Sequence, residues 1–569
     1  MKRHCVLLVI VVVMSATVFP VAGFLPHNAG VAGQAEQKNH DTNSISGPDD
    51  IWPMFRHDGG NTGCSPFLAP DSNHLAWKQL ITPELGRSTP ILYADKLYIS
   101  TSSYYIDSPK TSNPFDITPP SIPDLLSQLL PAENDSSFGL YCLDAKTGDP
   151  LWFRPMYMPN NPALFDDKIY ITDIDYYLGD SMLYCLDAAT GDVLWQKPAS
   201  GMIFSPTIVA DGKIILGSLN FTTYLGSVKC YDLSGNLLWN RVLPDNEMIW
   251  FSAPAISGGY VYFISSDMYS YYDGKLYCVS AASGQILWTR PVFSFGWYYY
   301  TASSAVCADS KVYVFDMDIH SYEGSLKCYD GATGDNLWTC YLGIVLCFSS
   351  PTVSADSVYV TAADLYTYNS WLYRIVSSNG SYLWRISLST TYYLGTGAPI
   401  CSEDKIFATP GIFIDDATEI YCFDRWDGTA LWKYTTDTPI IGSPAVGDGR
   451  VYFADYDGNL YMIEDVLKIQ DISGGFLGVT AQIQNIGDSS LTGISWEISV
   501  VGGSLGLINR TRAGTIQDLA TGESSTVRLL PLFGLGRIEI IATATMPQMS
   551  TLKKVKQGLL LGPVCIMMS

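Results

Sequence analysis

Histidine is scarce in this chain, with six among 569 residues. Only His320 falls inside the repeated part of the sequence; His57 and His74 lie in segments flanking it, and the others in the leader. Neither a histidine-based triad nor a zinc cluster can be assembled from that distribution. Charge is thin as well, at 15% of residues, and it leans to one sign: 33 basic against 55 acidic side chains, a net charge of -22. A polyanion of this kind repels nucleic acid and acidic membrane surfaces, which leaves cations, neutral sugars and basic proteins as partners. Long apolar runs are missing too. The stretch Val6 to Val13 is shorter than the about 20 residues a membrane span requires, and so is the apolar ending "GLLLGPVCIMMS", which reads as a final strand.

The first of these runs has another explanation. Lys2 and Arg3 precede it, and small residues at Val21 to Gly23 follow, the layout of a secretory signal over residues 1–23 that leaves a mature chain with no transmembrane segment. Cys5 lies before the run, so no lipid attachment site is evident. Residues 24–50 are polar and rich in Asn, Gly and Ser, as in a flexible leader. Four Asn-x-Ser/Thr triplets, at Asn134, Asn220, Asn379 and Asn509, fit an exported chain.

What the sequence has in quantity is β-forming residues and turns. It contains 37 Tyr, 22 Phe, 14 Trp, 49 Gly and 31 Pro. One phrase recurs: "YCLDAKTGDPLWFRP" from Tyr141 and "YCLDAATGDVLWQKP" from Tyr184, with five looser copies. Its tryptophans, Trp152, Trp195, Trp239, Trp288, Trp338, Trp384 and Trp432, recur at the period of propeller blades, and Trp77 is an eighth. Each period carries four strand signals with alternating apolar and polar residues. The Asp-x-x-Thr-Gly core is turn chemistry: Asp187 accepts turn amides, and Gly191 takes the left-handed conformation that closes the hairpin. The tryptophan is expected to wedge between neighbouring blades with its N–H bonded to the adjacent turn. Thirteen cysteines are present, and Cys142, Cys185, Cys230, Cys278, Cys328 and Cys422 share one slot of the phrase. One per repeat, they are too far apart to pair and read as small buried hydrophobes.

The chain ends supply closure. The last unit stops after three strand signals, near Leu460, and Trp77 belongs to a fourth strand without the three before it. Joined, they complete a blade and remove free sheet edges. The expectation is an all-β fold: an eight-bladed β-propeller over residues 51–465, with an N-terminal strand closing the last blade. An insertion from Pro109 to Asp135 lengthens the first blade. From 466 to 569 the phrase disappears, and strands alternate with Gly and Asn turns at the spacing of an immunoglobulin-like β-sandwich.

The segments "LDAKTGDPLW", "LDAATGDVLW" and "YDGATGDNLW" resemble the tryptophan-docking motif of the pyrroloquinoline quinone (PQQ)-like repeat, found in quinoprotein alcohol dehydrogenases and in BamB-like outer-membrane assembly lipoproteins. The lead-in "WPMFRHDGGNTGCS" also resembles that of secreted members of this group. The resemblance implies the propeller fold and leaves activity open, since the fold serves enzymes and scaffolds alike. For a dehydrogenase it implies a quinone over the axis, a vicinal cysteine pair and a calcium site. This chain has no Cys-Cys dipeptide, so PQQ and calcium are not expected cofactors.

Candidate site residues remain. Asp173 with Asp175, Asp316 with Asp318, and Asp455 with Asp457 sit just past second strands, and acidic loops can chelate calcium. None matches an EF-hand, because Leu178, Ser321 and Leu460 stand where that loop requires glycine. In a propeller, the loops joining strands two and three and those joining successive blades emerge on one face. That face should carry Tyr176, Tyr177, Trp250, Trp297, Tyr298, Tyr299, Tyr300, Tyr392 and Tyr393 among carboxylates. Tyr and Trp offer an apolar face with a polar tip, suited to sugar stacking and protein contacts. The reading is an exported, non-enzymatic propeller that binds a protein or carbohydrate partner through this face, at the cell surface or outside the cell. The alternatives are a PQQ- or calcium-dependent oxidoreductase and a BamB-like assembly scaffold.

Overall fold

The repeated turn sets the architecture. In the computed structural model, Asp187 Oδ1 accepts the amides of Ala189 and Thr190, both at 2.9 Å, and Gly191 has φ +74°. The same arrangement recurs at Asp144 and Asp330. A register shift follows the cysteine slot, so that Cys185 stands opposite Trp195 and Leu186 opposite Val193. The bulge turns the tryptophan outward, away from its own sheet, toward the next one. The structure describes residues 52–568 except 83–88, 102–136, 176–177, 221–222, 224, 245–246, 250–251, 268–272, 294–302, 319–320, 322, 348, 355, 365, 368, 390–396, 410–417, 488 and 547–550. The expected signal and leader fall outside those residues, as does the whole of the expected insertion.

Among the described residues, the strands between 75 and 464 form consecutive antiparallel groups of four, 91–155, 163–198, 208–242, 255–293, 306–346, 352–389, 400–435, and 440–464 completed by Leu75–Leu80, with the short strand Glu247–Met248 added as a fifth to the group 255–293. The fold is an all-β propeller. The first strands of neighbouring groups touch one another, and Ile440–Gly447 of the last group touches Ile91–Tyr93 of the first. Closure is as expected: Leu75–Leu80 pairs antiparallel with Asn459–Glu464, setting Trp77 opposite Met462 and Gln79 opposite Leu460. A buried cluster spans this seam, with Trp52, Leu92, Phe407, Ala445, Leu460 and Tyr461.

The seam also rebuilds the repeated turn from two distant pieces of chain. Asp465 accepts the amides of Asp71 and Ser72, at 2.8 and 2.9 Å, as Asp187 does within a continuous turn. The carbonyl of Pro70 then takes the Trp432 N–H at 3.1 Å. Other tryptophans reach the turn of the following group: Trp77 to Ala145, Trp239 to Ala281, Trp288 to Gly331, Trp338 to Ser377 and Trp384 to Trp426. The turn glycine lies flat against the ring, as Gly334 does on Trp288. Trp152 departs from the expectation, since its buried N–H has no acceptor.

Two further differences stand out. Strand Asn336–Leu346 runs on past its own group and pairs with Ala363 and Asp364, which fuses two groups into an eight-stranded sheet. The slot cysteines are free and buried, as read from the sequence. Cys64 and Cys401, outside that slot, form a disulfide across 337 residues. The sequence pattern could not reveal it, because only the fold brings the lead-in to Ile400–Cys401.

Residues 467–567 form a three-stranded sheet, made of Leu467–Gly475, Gly478–Asn485 and Ser524–Leu529, and a five-stranded one. In the five-stranded sheet, Leu491–Gly502 lies between Ile508–Leu519 and Gly534–Thr545, followed outward by Leu552–Gly562 and Val564–Met567. Both contribute to one core that includes Ile472, Val479, Ile498, Val500, Ile540 and Leu560. The ending read as a strand is one, Val564–Met567.

Candidate functional site

The lead-in, residues 52–68, is tied to the propeller along its length. Its backbone passes the first strands of successive groups and bonds to them in turn. Trp52 exchanges bonds with Leu92, Pro53 accepts from Leu164, Gly59 from Ile256, Gly60 from Cys307, Thr62 from Val353 and Gly63 from Cys401, all at 2.7–3.0 Å. The path allows no side chain at Gly60, where a Cβ would come within 2.3 Å of the Cys307 carbonyl. Arg56, His57 and Asn61 adopt positive φ along it. A cost of this kind persists only where the surroundings over-determine the backbone.

Their side chains form a buried polar hub. Arg56 is wholly buried; its Nε donates to the Asn61 carbonyl at 3.1 Å and Nη2 to Thr352 Oγ1 at 2.8 Å and to the Pro351 carbonyl. Burial pushes its pKa down to about 9, against the pull of Asp58. Asn61 Nδ2 donates to the carbonyls of Ala253, Pro254 and Ala305. Asp58 is spent on the amides of Gly60 and Thr62 and on the Thr62 hydroxyl. Hydroxyls at the starts of the first strands continue the network between groups: Ser304 Oγ accepts from Ala253, and Ser350 Oγ from Ser304. Sequence reasoning passed over Arg56, Asn61 and this ring. The one available signal was the Gly59–Gly60 pair, which marks close backbone approach.

The acids singled out as calcium candidates hold loops. Asp173 accepts the amides of Tyr157 and Met158 at 3.1 and 2.6 Å, in the connection entering its group. Burial raises its pKa, and those amides oppose the shift. Asp316 accepts from the Phe293 amide and pairs with Lys327 at 2.5 Å. Asp175 and Asp318 accept the amides of Leu178 and Ser321, within their own loops. Asp455 is buried under Asn459 and Tyr461. An acid not anticipated, Glu247, is buried in the same way between Ser265, Lys275 and Tyr277. The nine aromatic residues Tyr176, Tyr177, Trp250, Trp297, Tyr298, Tyr299, Tyr300, Tyr392 and Tyr393 all lie outside the described residues, as does His320.

Residues 136–297, 273–369 and 368–466 each match the family model described as outer membrane protein assembly factor BamB, and together they span more than half of the chain. The chain belongs to this BamB-like family of PQQ-repeat propellers. Among solved structures, it is similar to the quinohemoprotein alcohol dehydrogenase from Comamonas testosteroni, at 14% identity and a TM-score of 0.53 over 78% of this chain and 84% of that one. It also matches BamB from Moraxella catarrhalis, at 15% identity and a TM-score of 0.48 over 69% of this chain and all of that one. A likeness at such identity shows fold alone. No curated protein matches the sequence.

For a member of this family the dehydrogenase cofactor can be tested against the residues present. A quinone with calcium asks for a cluster of hard oxygen ligands near the axis. Among the described residues no group of three or more His, Cys, Asp or Glu side chains could hold a metal. The hub cation, Arg56, is engaged by Pro351, Thr352 and Asn61. No helix among the described residues is long and apolar enough to cross a membrane.

Proposed function

We propose that the protein is an exported, eight-bladed propeller that binds a protein or carbohydrate partner through the loop face carrying Tyr176, Tyr177, Trp250, Trp297, Tyr298, Tyr299, Tyr300, Tyr392 and Tyr393. An immunoglobulin-like sandwich follows it. The observation that carries this reading is the use of the acids at that face. Asp173, Asp316 and Glu247 are spent on loop amides, a lysine and hydroxyls, so they position the loops and leave recognition to what the loops carry. A hub pinned to the first strands supports the same view, since a binding face gains from loops set on a rigid base.

The reading is tested by pull-down and glycan-array binding of the full chain, compared with a Trp297→Ala, Tyr299→Ala variant. Loss of binding with an unchanged melting curve supports the face, and unchanged binding removes it. Dye-linked oxidation of simple alcohols after incubation with PQQ and calcium should give no turnover; turnover would return the oxidoreductase to first place. The family description favours a protein partner, as an assembly factor has, over a sugar.

A further inference from the structure

The far end of the sandwich is unlike the rest of the molecule. Leu467–Gly475 leaves the propeller side and runs about 30 Å at strand rise before turning at Phe476. Pairings of Gly475 with Gly478, Gly502 with Ile508, Gly534 with Gly562 and Leu561 with Val564 bring the corresponding turns to that one end. Phe476 bridges Val564, and the Leu532 amide reaches the Leu477 carbonyl, so tips from both sheets are joined. Apolar side chains there face water: Leu507 is 80% exposed, Phe476 73%, Phe533 60% and Leu535 60%. A contiguous group of this kind marks an interaction site.

The charge behind the tip identifies what it meets. Arg510, Arg528 and Arg537 stand exposed on the strands that lead into these turns. The nearest carboxylate along those strands, Glu539, lies behind Arg537 and is engaged by Gln557. Residues 466–569 hold eight basic and six acidic side chains, a net +2, so the rest of the chain carries -24 of the total of -22. An apolar tip collared by arginine is complementary to a bilayer surface with anionic headgroups, where rings and aliphatic chains enter the interface and guanidinium groups meet phosphate. The acidic propeller does not forbid the approach. It lies several Debye lengths behind the tip, at about 8 Å each in physiological salt.

We infer that the sandwich tip formed by Phe476, Leu507, Phe533 and Leu535, with Arg510, Arg528 and Arg537, docks the protein peripherally on an anionic lipid surface. The full chain should co-sediment with vesicles of phosphatidylcholine and phosphatidylglycerol, more weakly with phosphatidylcholine alone, and less as salt rises. Arg528→Ala with Arg537→Ala should weaken binding to anionic vesicles by about 25-fold, at about fivefold for each arginine near the surface. Phe476→Ser with Phe533→Ser should abolish it. These side chains are exposed, so melting should not change; if it does, Leu507→Gln at the most exposed position serves instead. The inference is overturned if the chain ignores anionic vesicles, if the apolar variants bind as well as the parent, or if sedimentation shows a dimer that the Phe476→Ser, Phe533→Ser variant dissociates. The last result would assign the tip to a second copy of the chain.

Discussion

The propeller and the sandwich are both antiparallel β structure, but they gain specificity by different means. In the propeller the turn between the third and fourth strands carries a glycine that supports the preceding group's tryptophan and, in most groups, an Asp that holds two amides, with Ser280 and Val376 standing in that slot in two of them. Contacts between groups are thereby written into a short local phrase. The sandwich has no such phrase. Gly522 adopts positive φ in one of its turns, and a Cβ there would meet nothing within 4 Å, so it supports no neighbouring ring. Its two sheets are matched instead by alternation into a shared core. The lesson is that a repeat can encode its tertiary neighbours locally, whereas a sandwich relies on the sum of its buried faces.

The largest test concerns the staple that the propeller has and the sandwich lacks. Closing a loop of 337 residues through Cys64 and Cys401 should stabilise by about 6 kcal/mol on chain-entropy grounds, an upper bound if the unfolded chain keeps structure. Cys64→Ser should therefore lower the denaturant midpoint sharply, and reductant should do the same to the parent but nothing further to the variant. A parent insensitive to reductant would remove the staple from the comparison.

Next is the glycine contrast itself. Gly334→Ala places a Cβ 2.6 Å from the Trp288 ring at φ +70°, and strain plus overpacking predict a loss of about 3–4 kcal/mol. Gly522→Ala in the sandwich has φ +74° and open space, so only the backbone cost of about 1 kcal/mol remains. Equal losses by urea unfolding would break the distinction drawn between the two domains.

The seam gives a smaller, pH-dependent test. Burial raises the Asp465 pKa from 3.8 to about 6, with the Asp71 amide and Ser72 hydroxyl opposing. A raised value means that the native state holds the proton more tightly. The contribution to stability is full below pH 3.8 and is lost as pH rises through 6, amounting to about 3 kcal/mol. Asp465→Asn should remove that decline, so the difference in melting temperature between variant and parent should change between pH 4 and 6 and then level off. A constant difference across that range would show that the rebuilt turn is not where this proton resides.

Much of the fold was legible in the sequence because the phrase carries its own reasons. Trp77 against the strand at Leu460, the free slot cysteines and the Asp-anchored turns all follow from local periodicity and turn chemistry. The acids near second strands were legible as a group, but not their use: whether Asp173 faces a cation or the amides of Tyr157 and Met158 depends on a connection that folds back onto it. Within "WPMFRHDGGNTGCS" the Gly59–Gly60 pair signals a close backbone approach, but not that Arg56 will be enclosed or that the backbone will bond to one group after another.

The sequence by itself determined the repeating sheet, the inter-group tryptophan and the complementary chain ends, because each depends on residues close together or spaced at a fixed period. Only the tertiary structure decided the Cys64–Cys401 bond, the buried Arg56 hub, the turn rebuilt by Asp465 and the gathering of Phe476, Leu507, Phe533 and Leu535 at one tip. Each of these joins segments distant along the chain, and such proximity is set by closure of the ring and pairing of the sheets rather than by any local preference.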